Sequence, residues 1–309
     1  MIEQILLLVA GLALVVCGAD WLVDGAGSVA RKAGISEFVI GLTIVGFGTS
    51  CPELVVSLTG ALDGNADVSI GNVVGSNIFN TLLILGLTAI FSPVAVSKEN
   101  KKRDIPMMIG VSAILILFIL TGNTISRIEG AVMLILFAAY LFYCFKFGPK
   151  PVEEAGTEGI GTLKSILLIL VGLAGLIFGG KMFVDSAVSI ASTVGVSDKF
   201  IALTLLAGGT SLPELATSVV AGIKGKSQIA IGNIIGSNIF NILLILGCSS
   251  LVIPLSGTIS TADILFFALS ALSLTSPGIV GKDGKIGRWG GAAMLAIFAL
   301  YFAYLFLNL

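Results

Sequence analysis

Apolar and polar positions along this chain alternate on the scale of whole helices. Runs of about 20 mainly apolar residues, the length that crosses a hydrocarbon core, are divided by short segments rich in charge, glycine and proline. Punctuating the chain at those breaks predicts ten spans, at roughly 3–30, 36–62, 66–91, 104–122, 127–147, 163–193, 198–223, 227–252, 262–279 and 288–308. The one sizeable connection, Gly148 to Thr162, holds prolines, glycines and three glutamates and reads as an exposed linker. Fourteen of the 17 lysines and arginines fall in odd-numbered loops, whereas the even-numbered loops carry only Arg127 and Lys199, and Lys181 sits within a span. Basic residues accumulate on the cytoplasmic side, so the odd loops are expected to be cytoplasmic and both termini outside.

Composition agrees with this pattern. The chain is 56% hydrophobic and 11% charged, with a mean hydropathy of +1.08. Soluble domains carry about 25% charged residues, so too little polar surface exists to coat a water-soluble protein, and a multi-pass membrane protein is expected, with lipid as its surroundings. A net charge of −1 excludes a basic patch for nucleic acid. No histidine is present, which removes Ser-His and Cys-His nucleophiles and His-ligated metals, and no enzyme activity or cofactor is expected. Cys17, Cys51, Cys144 and Cys248 lie in apolar stretches and read as buried thiols. The N-terminal segment lacks the basic n-region and cleavage site of a signal peptide, so the first helix is expected to be retained. Oligomeric state leaves no mark in the sequence.

Self-comparison divides the chain in two. Gly71-Asn-Val-Val-Gly-Ser-Asn-Ile-Phe-Asn80 recurs as Gly232-Asn-Ile-Ile-Gly-Ser-Asn-Ile-Phe-Asn241, and Gly48-Thr-Ser-Cys-Pro-Glu-Leu54 as Gly209-Thr-Ser-Leu-Pro-Glu-Leu215, both at an offset of 161. The offset extends to Asp24/Asp185, Gly34/Gly195 and Ser36/Ser197. The halves are residues 1–147 and 163–309 around the linker 148–162, with the repeated cores at about 36–91 and 197–252. Five spans per half is an odd number, so the second half must enter the membrane from the opposite side. Inverted repeats of this kind place a transport site near the midplane.

Glu53 and Glu214 sit in the middle of apolar spans. An ionisable group at the bilayer centre costs about 2.5–3.5 kcal/mol on insertion scales and marks function by default. The alternative is a structural ion pair, for which Lys181 is the one candidate partner. Two carboxylates with no fixed counter-charge suit a divalent cation. Pro52 and Pro213 lack an N–H and release the carbonyls of Gly48 and Gly209, and neighbouring glycines let the backbone unwind. Those carbonyls, the hydroxyls of Thr49, Ser50, Thr210 and Ser211, and the two carboxylates form an all-oxygen shell of the kind Ca²⁺ takes. In the next span Asn72, Ser76 and Asn80 share a helix face, mirrored by Asn233, Ser237 and Asn241. Asn80 and Asn241 are placed to reach the glutamates. Asn72 and Asn233 either join them or bond a neighbouring helix, and Gly71, Gly75, Gly232 and Gly236 permit close packing.

Asp20, Asp24 and Asp185 lie toward the ends of the first and sixth spans, where charged side chains reach the interface; a gating role is the other reading. Lys181 and Asp185 are spaced i,i+4. Two motifs mislead: Gly222-Ile-Lys-Gly-Lys-Ser227 imitates a phosphate loop but has Val220 where the first glycine is required, and Ser50 and Ser211 have no histidine base for hydrolysis.

The paired Gly-Thr-Ser-x-Pro-Glu and Gly-Asn-x-x-Gly-Ser-Asn-Ile-Phe-Asn segments resemble the two α-repeats of the cation/Ca²⁺ antiporter superfamily, and most of all prokaryotic Na⁺/Ca²⁺ exchangers. The resemblance covers the whole chain. It implies an all-α membrane protein of ten helices, two inverted repeats of five, that exchanges Ca²⁺ for Na⁺ by alternating access as its long first and sixth helices slide across the core. It implies cation ligands at Thr49, Ser50, Glu53, Ser76, Asn80, Thr210, Ser211, Glu214, Ser237 and Asn241, with carbonyls of Gly46 and Ala207 and with Glu53 and Glu214 carrying the charge for Ca²⁺. K⁺-dependent relatives have aspartate where this chain has Asn241, which argues against K⁺ co-transport. The H⁺/Ca²⁺ branch has Gly-Asn in place of Gly-Thr-Ser, which favours Na⁺ as the coupling ion. A proton-coupled exchanger and a cation channel are the alternatives.

Overall fold

The structure, a computed structural model, describes residues 1–122, 124–147, 160–195, 207–257 and 259–307. Its helices are α1 (Ile2–Ala33), α2 (Glu37–Thr49), α3 (Cys51–Leu62), α4 (Ala66–Phe91), α5 (Asn100–Thr121), α6 (Arg127–Phe147), α7 (Thr162–Thr193), α8 (Leu212–Ile223), α9 (Ser227–Val252), α10 (Thr261–Ser273) and α11 (Arg288–Leu307). Seven are long and apolar enough to cross a membrane; α2 and α3, bent by 47° at Ser50, add an eighth, and α8 and α10 are shorter apolar helices. The chain is an all-helical membrane protein. The linker 148–159 and the expected start of the seventh span, with Ser197 and Lys199, lie outside the described residues.

Two boundaries differ from the sequence reading. The fourth span was expected from residue 104, but the helix begins at Asn100 with a π-helical turn. There Asn100 and Ser97 cap one another reciprocally, and Asn100 also donates to buried Asp104. The ninth span was expected to reach residue 279, but α10 stops at Ser273. Pro277 and the glycines that follow cannot continue it, and the chain turns back through β4 (Lys285–Ile286).

The connections also contain β1 (Val94–Ala95), β2 (Thr124–Ile125) and β3 (Leu255–Ser256), which with β4 make four two-residue strands that leave the all-helical class unchanged. β1 pairs antiparallel with β4, and β2 with β3. The 161-residue offset carries β1 onto β3 and β2 onto β4, so it exchanges one pair for the other. β1 and β4 lie in odd-numbered connections, β2 and β3 in even-numbered ones. Strands can pair only where they emerge on the same side, and this pairing follows the two sets assigned by charge. The turns α3–α4 and α8–α9 match in the same way: Gly64 and Gly225, offset partners, have φ of 75° and 74°, a left-handed conformation that glycine adopts without a Cβ penalty.

α4 and α9 form the centre. In the most apolar stretch of α9 94% of residues are buried, against 28% in α1, which separates a core helix from one with a lipid-facing surface. Close packing of α9 on α2 depends on glycine: a Cβ on Gly232 would meet the Phe38 carbonyl oxygen at 2.5 Å. Across the outside, α1 and α7 lie antiparallel along their length. A Cβ on Gly18 would meet the Gly172 oxygen at 2.8 Å, and one on Gly172 the Gly18 oxygen at 2.7 Å. Gly11, Gly25 and Gly179 make similar backbone approaches. Small residues let membrane helices approach to backbone contact, and here they join α1 and α7 into one unit.

Candidate cation site

The break between α2 and α3 centres on Ser50, with φ −84° and ψ 6°, and Pro52 stands in the first turn of α3. Ser211 (φ −87°, ψ 7°) and Pro213 repeat this at the start of α8. Glu53 and Glu214 therefore occupy first helical turns, where unpaired backbone N–H groups favour a carboxylate. Their partners come from the opposite repeat. The Ser50 hydroxyl donates to Glu214 Oε1 at 2.9 Å, and the Ser211 hydroxyl to Glu53 Oε1 at 3.2 Å. A hydroxyl three residues before one glutamate thus holds the other, which brings both breaks and both carboxylates together. Each glutamate is 1% exposed. Among the described residues neither has a lysine or arginine partner, so the structural ion pair with Lys181 does not form.

Asn80 and Asn241 lie in π-helical turns, Phe79–Ile84 and Asn241–Leu246; widened turns of this kind recur at functional sites. The Asn80 amide nitrogen donates to Asn238 Oδ1 (3.2 Å), and that of Asn241 to Asn77 Oδ1 (3.0 Å). With each nitrogen held, each amide oxygen turns the other way. Asn80 Oδ1, Asn241 Oδ1, Glu53 Oε2 and Glu214 Oε2 are all buried without a hydrogen-bond partner. Leaving one such atom unsatisfied costs about 1–3 kcal/mol, more when it is charged. Two offset pairs of oxygens share this condition, and hard oxygen acceptors of this kind are the ligands a cation such as Ca²⁺ takes.

The remaining expected ligands sit on the same helices or beside their breaks. Thr49 and Ser237 hydroxyls both approach the Gly46 carbonyl oxygen, at 3.3 and 3.4 Å. Thr49 also meets Asn233 Oδ1 at 3.1 Å. The Thr210 hydroxyl is buried and makes no hydrogen bond of ordinary geometry. Ala207 opens a helical turn, Ala207–Gly209, just before that break. Ser76 is buried on α4 and lines a cavity of about 310 Å³ with Asn72, Asp67 and Asp263.

Asn72 and Asn233 take the neighbour-bonding role. Asn72 donates to the Glu53 carbonyl and the Ser57 hydroxyl, Asn233 to the Glu214 carbonyl and the Ser218 hydroxyl. They fasten each glutamate's helix to the following one. Sequence reasoning passed over Asn77 and Asn238, which orient the amide oxygens; their recurrence at the repeat offset was the available signal.

Asp20 and Asp24 are not merely reaching for the interface. Lys224, in the α8–α9 turn, contacts Asp20 Oδ1 at 2.5 Å and Asp24 Oδ1 at 2.8 Å, and Lys226 contacts Asp24 at 3.2 Å. Lys181 and Asp185, despite their i,i+4 spacing, form no ion pair among the described residues and are both exposed.

Comparison with known proteins gives concordant results. The profile of the sodium/calcium exchanger protein family matches residues 3–146 and 164–307. The chain is 40% identical to the putative antiporter CaxA of Alkalimonas amylolytica, covering 99% of both chains. It is 34% identical to the sodium/calcium exchanger MaX1 of Methanosarcina acetivorans, covering 97% of this chain and 98% of that one. Among solved structures it superposes on the sodium-calcium exchanger NCX_Mj, soaked with Na⁺ and Ca²⁺, with a TM-score of 0.85 at 35% identity and 98% coverage of each chain.

Proposed function

Since the chain belongs to the sodium/calcium exchanger protein family, we propose that it exchanges Ca²⁺ for Na⁺ across a prokaryotic cell membrane by alternating access, through ten spans arranged as two inverted repeats with both termini outside. The observation that carries this reading is the set of four buried oxygens without protein partners, from Glu53, Glu214, Asn80 and Asn241. Two carboxylates and two amide oxygens supply hard oxygen ligands. Thr49, Ser50, Ser76, Thr210, Ser211 and Ser237, with the carbonyls of Gly46 and Ala207, complete the shell.

Charge explains why transport is exchange. One Ca²⁺ balances the two carboxylates, and Na⁺ ions bound at overlapping positions do the same. An empty site leaves two bare carboxylates facing low-dielectric surroundings, which opposes crossing, so the protein returns only when loaded. The exchange of strand pairs under the repeat offset supports the inverted arrangement.

The test is ⁴⁵Ca²⁺ uptake into proteoliposomes with an outward Na⁺, K⁺ or H⁺ gradient imposed in turn. Uptake should follow the Na⁺ gradient, saturate and require the trans cation. Uptake driven by H⁺ alone would transfer the protein to proton coupling, and flux without a trans cation would make it a channel.

A further inference from the structure

The ion pairs between α1 and the α8–α9 turn have a counterpart elsewhere in the chain with the charges reversed. The repeat offset carries Asp20 onto Lys181 and Lys224 onto Asp63. An aspartate on the long helix facing a lysine on the turn thus becomes a lysine on the long helix facing an aspartate on the turn. Two positions have switched sign together, and complementarity is retained. Asp24 and Lys226 map onto Asp185 and Asn65, so the second set holds one opposite-charge pair across the gap, Lys181 with Asp63.

Only the first set is engaged. Lys224 and Lys226 bind Asp20 and Asp24, and they also donate to the carbonyls of Asp20 and Val23. Lys181 and Asp63 are exposed and make no ion pair among the described residues. The packing has the same asymmetry. α1 lies along α8, whereas α7 makes at most glancing contact with α3, the equivalent helix of the other repeat. On α7 the side chains of Lys181 and Asp185 border an open groove of about 280 Å³, shared with Gln4 and Leu7 of α1.

Because glycine contacts bind α1 and α7 to each other, the two move against the core as one body. A shift that draws α7 onto α3 must draw α1 off α8. In a pair of inverted repeats the opposite-facing state has the mirror asymmetry of this one. We infer that Lys181 and Asp63 are positioning residues for exchange: they form the ion pair that holds the α1/α7 unit in the opposite-facing state, as Asp20, Asp24, Lys224 and Lys226 hold it in this one. One carboxylate–ammonium set breaks as the other forms, so the two end states stay close in energy and neither traps the carrier. The inference rests on the alternating-access reading, which the flux assay tests separately.

The experiment measures the distance between α3 and α7 by electron–electron double resonance in nanodiscs. Spin labels go on cysteines at Leu62 and Phe178, which are 71% and 70% exposed and so accept labels, with the native cysteines replaced. Lys224→Asp, which breaks the engaged set, should enrich a shorter distance. Lys181→Asp should deplete that population about threefold, the scale of an exposed ion pair. Lys181→Asp combined with Asp63→Lys should restore it, which separates a lost ion pair from a damaged fold. The inference is overturned if Lys224→Asp leaves the longer distance alone, if Lys181→Asp leaves the distribution unchanged, or if the double exchange fails to restore it.

Discussion

Asn238 touches none of the proposed charge-bearing groups, yet its removal should weaken Ca²⁺ binding. Its Oδ1 accepts the Asn80 amide at 3.2 Å, and its Nδ2 donates to Thr81 at 2.8 Å. Its backbone oxygen accepts from Asn77 at 3.1 Å, a bond that survives substitution. Asn238→Ala therefore leaves the Asn80 amide nitrogen without an acceptor. Nothing then fixes which end of that amide faces the cation, and an N–H₂ presented to Ca²⁺ is repulsive. An unsatisfied buried donor costs about 1–3 kcal/mol, and about 1.4 kcal/mol is tenfold in affinity. The half-saturating Ca²⁺ concentration for Na⁺-driven uptake should rise about tenfold in proteoliposomes, with protein that still elutes as a single species. Thr81→Val removes only the second bond and leaves the Asn80 amide held, so it should shift half-saturation by less than about threefold. A folded Asn238→Ala protein with half-saturation equal to wild type would refute the claim that this residue orients a ligand.

Glu53→Gln and Glu214→Gln should each abolish exchange while leaving a purifiable protein, and normal uptake by either would sink the site. Asn241→Asp places a third carboxylate beside two others, and the added charge needs a counter-ion; exchange should gain a response to K⁺ or to pH near neutrality, and a mutant matching wild type in both would put Asn241 outside the shell. Cysteine at Asn65 should react with an impermeant thiol reagent from outside, and cysteine at Glu99 or Lys282 only from the cytoplasm; outside labelling of Glu99 would overturn the assignment of sides. Gly18→Val drives a side chain into the α7 backbone, where even a Cβ would come within 2.8 Å of the Gly172 oxygen; a lowered unfolding temperature and lost exchange are expected, and wild-type behaviour in both would show that α1 and α7 need not stay joined.

What could be read from the chain, and what could not, divides along a physical line. The long apolar helices and the repeated motifs were legible because the bilayer acts on every residue: a charge in hydrocarbon is costly wherever it falls, so apolar runs, basic loops and two isolated glutamates stand out one position at a time. The π-helical turns at Asn80 and Asn241 were not legible, because an i→i+5 register depends on what the widened turn packs against and not on the residues in it. The pairing across repeats was also hidden. Ser50 lies three residues from Glu53 and reads as its neighbour, but its hydroxyl bonds Glu214. Lys224 counted only as a marker of sidedness, and its partners lie some 200 positions earlier. The offset of 161 equates position with position; it does not reveal which positions meet. In this fold each repeat supplies the glutamate of one break and the hydroxyl that holds the glutamate of the other. Neither half can therefore assemble the site alone, and a shift of one repeat against the other must disturb both carboxylates at once. In the exchange proposed above, that shared geometry couples ion binding to movement of the surrounding helices.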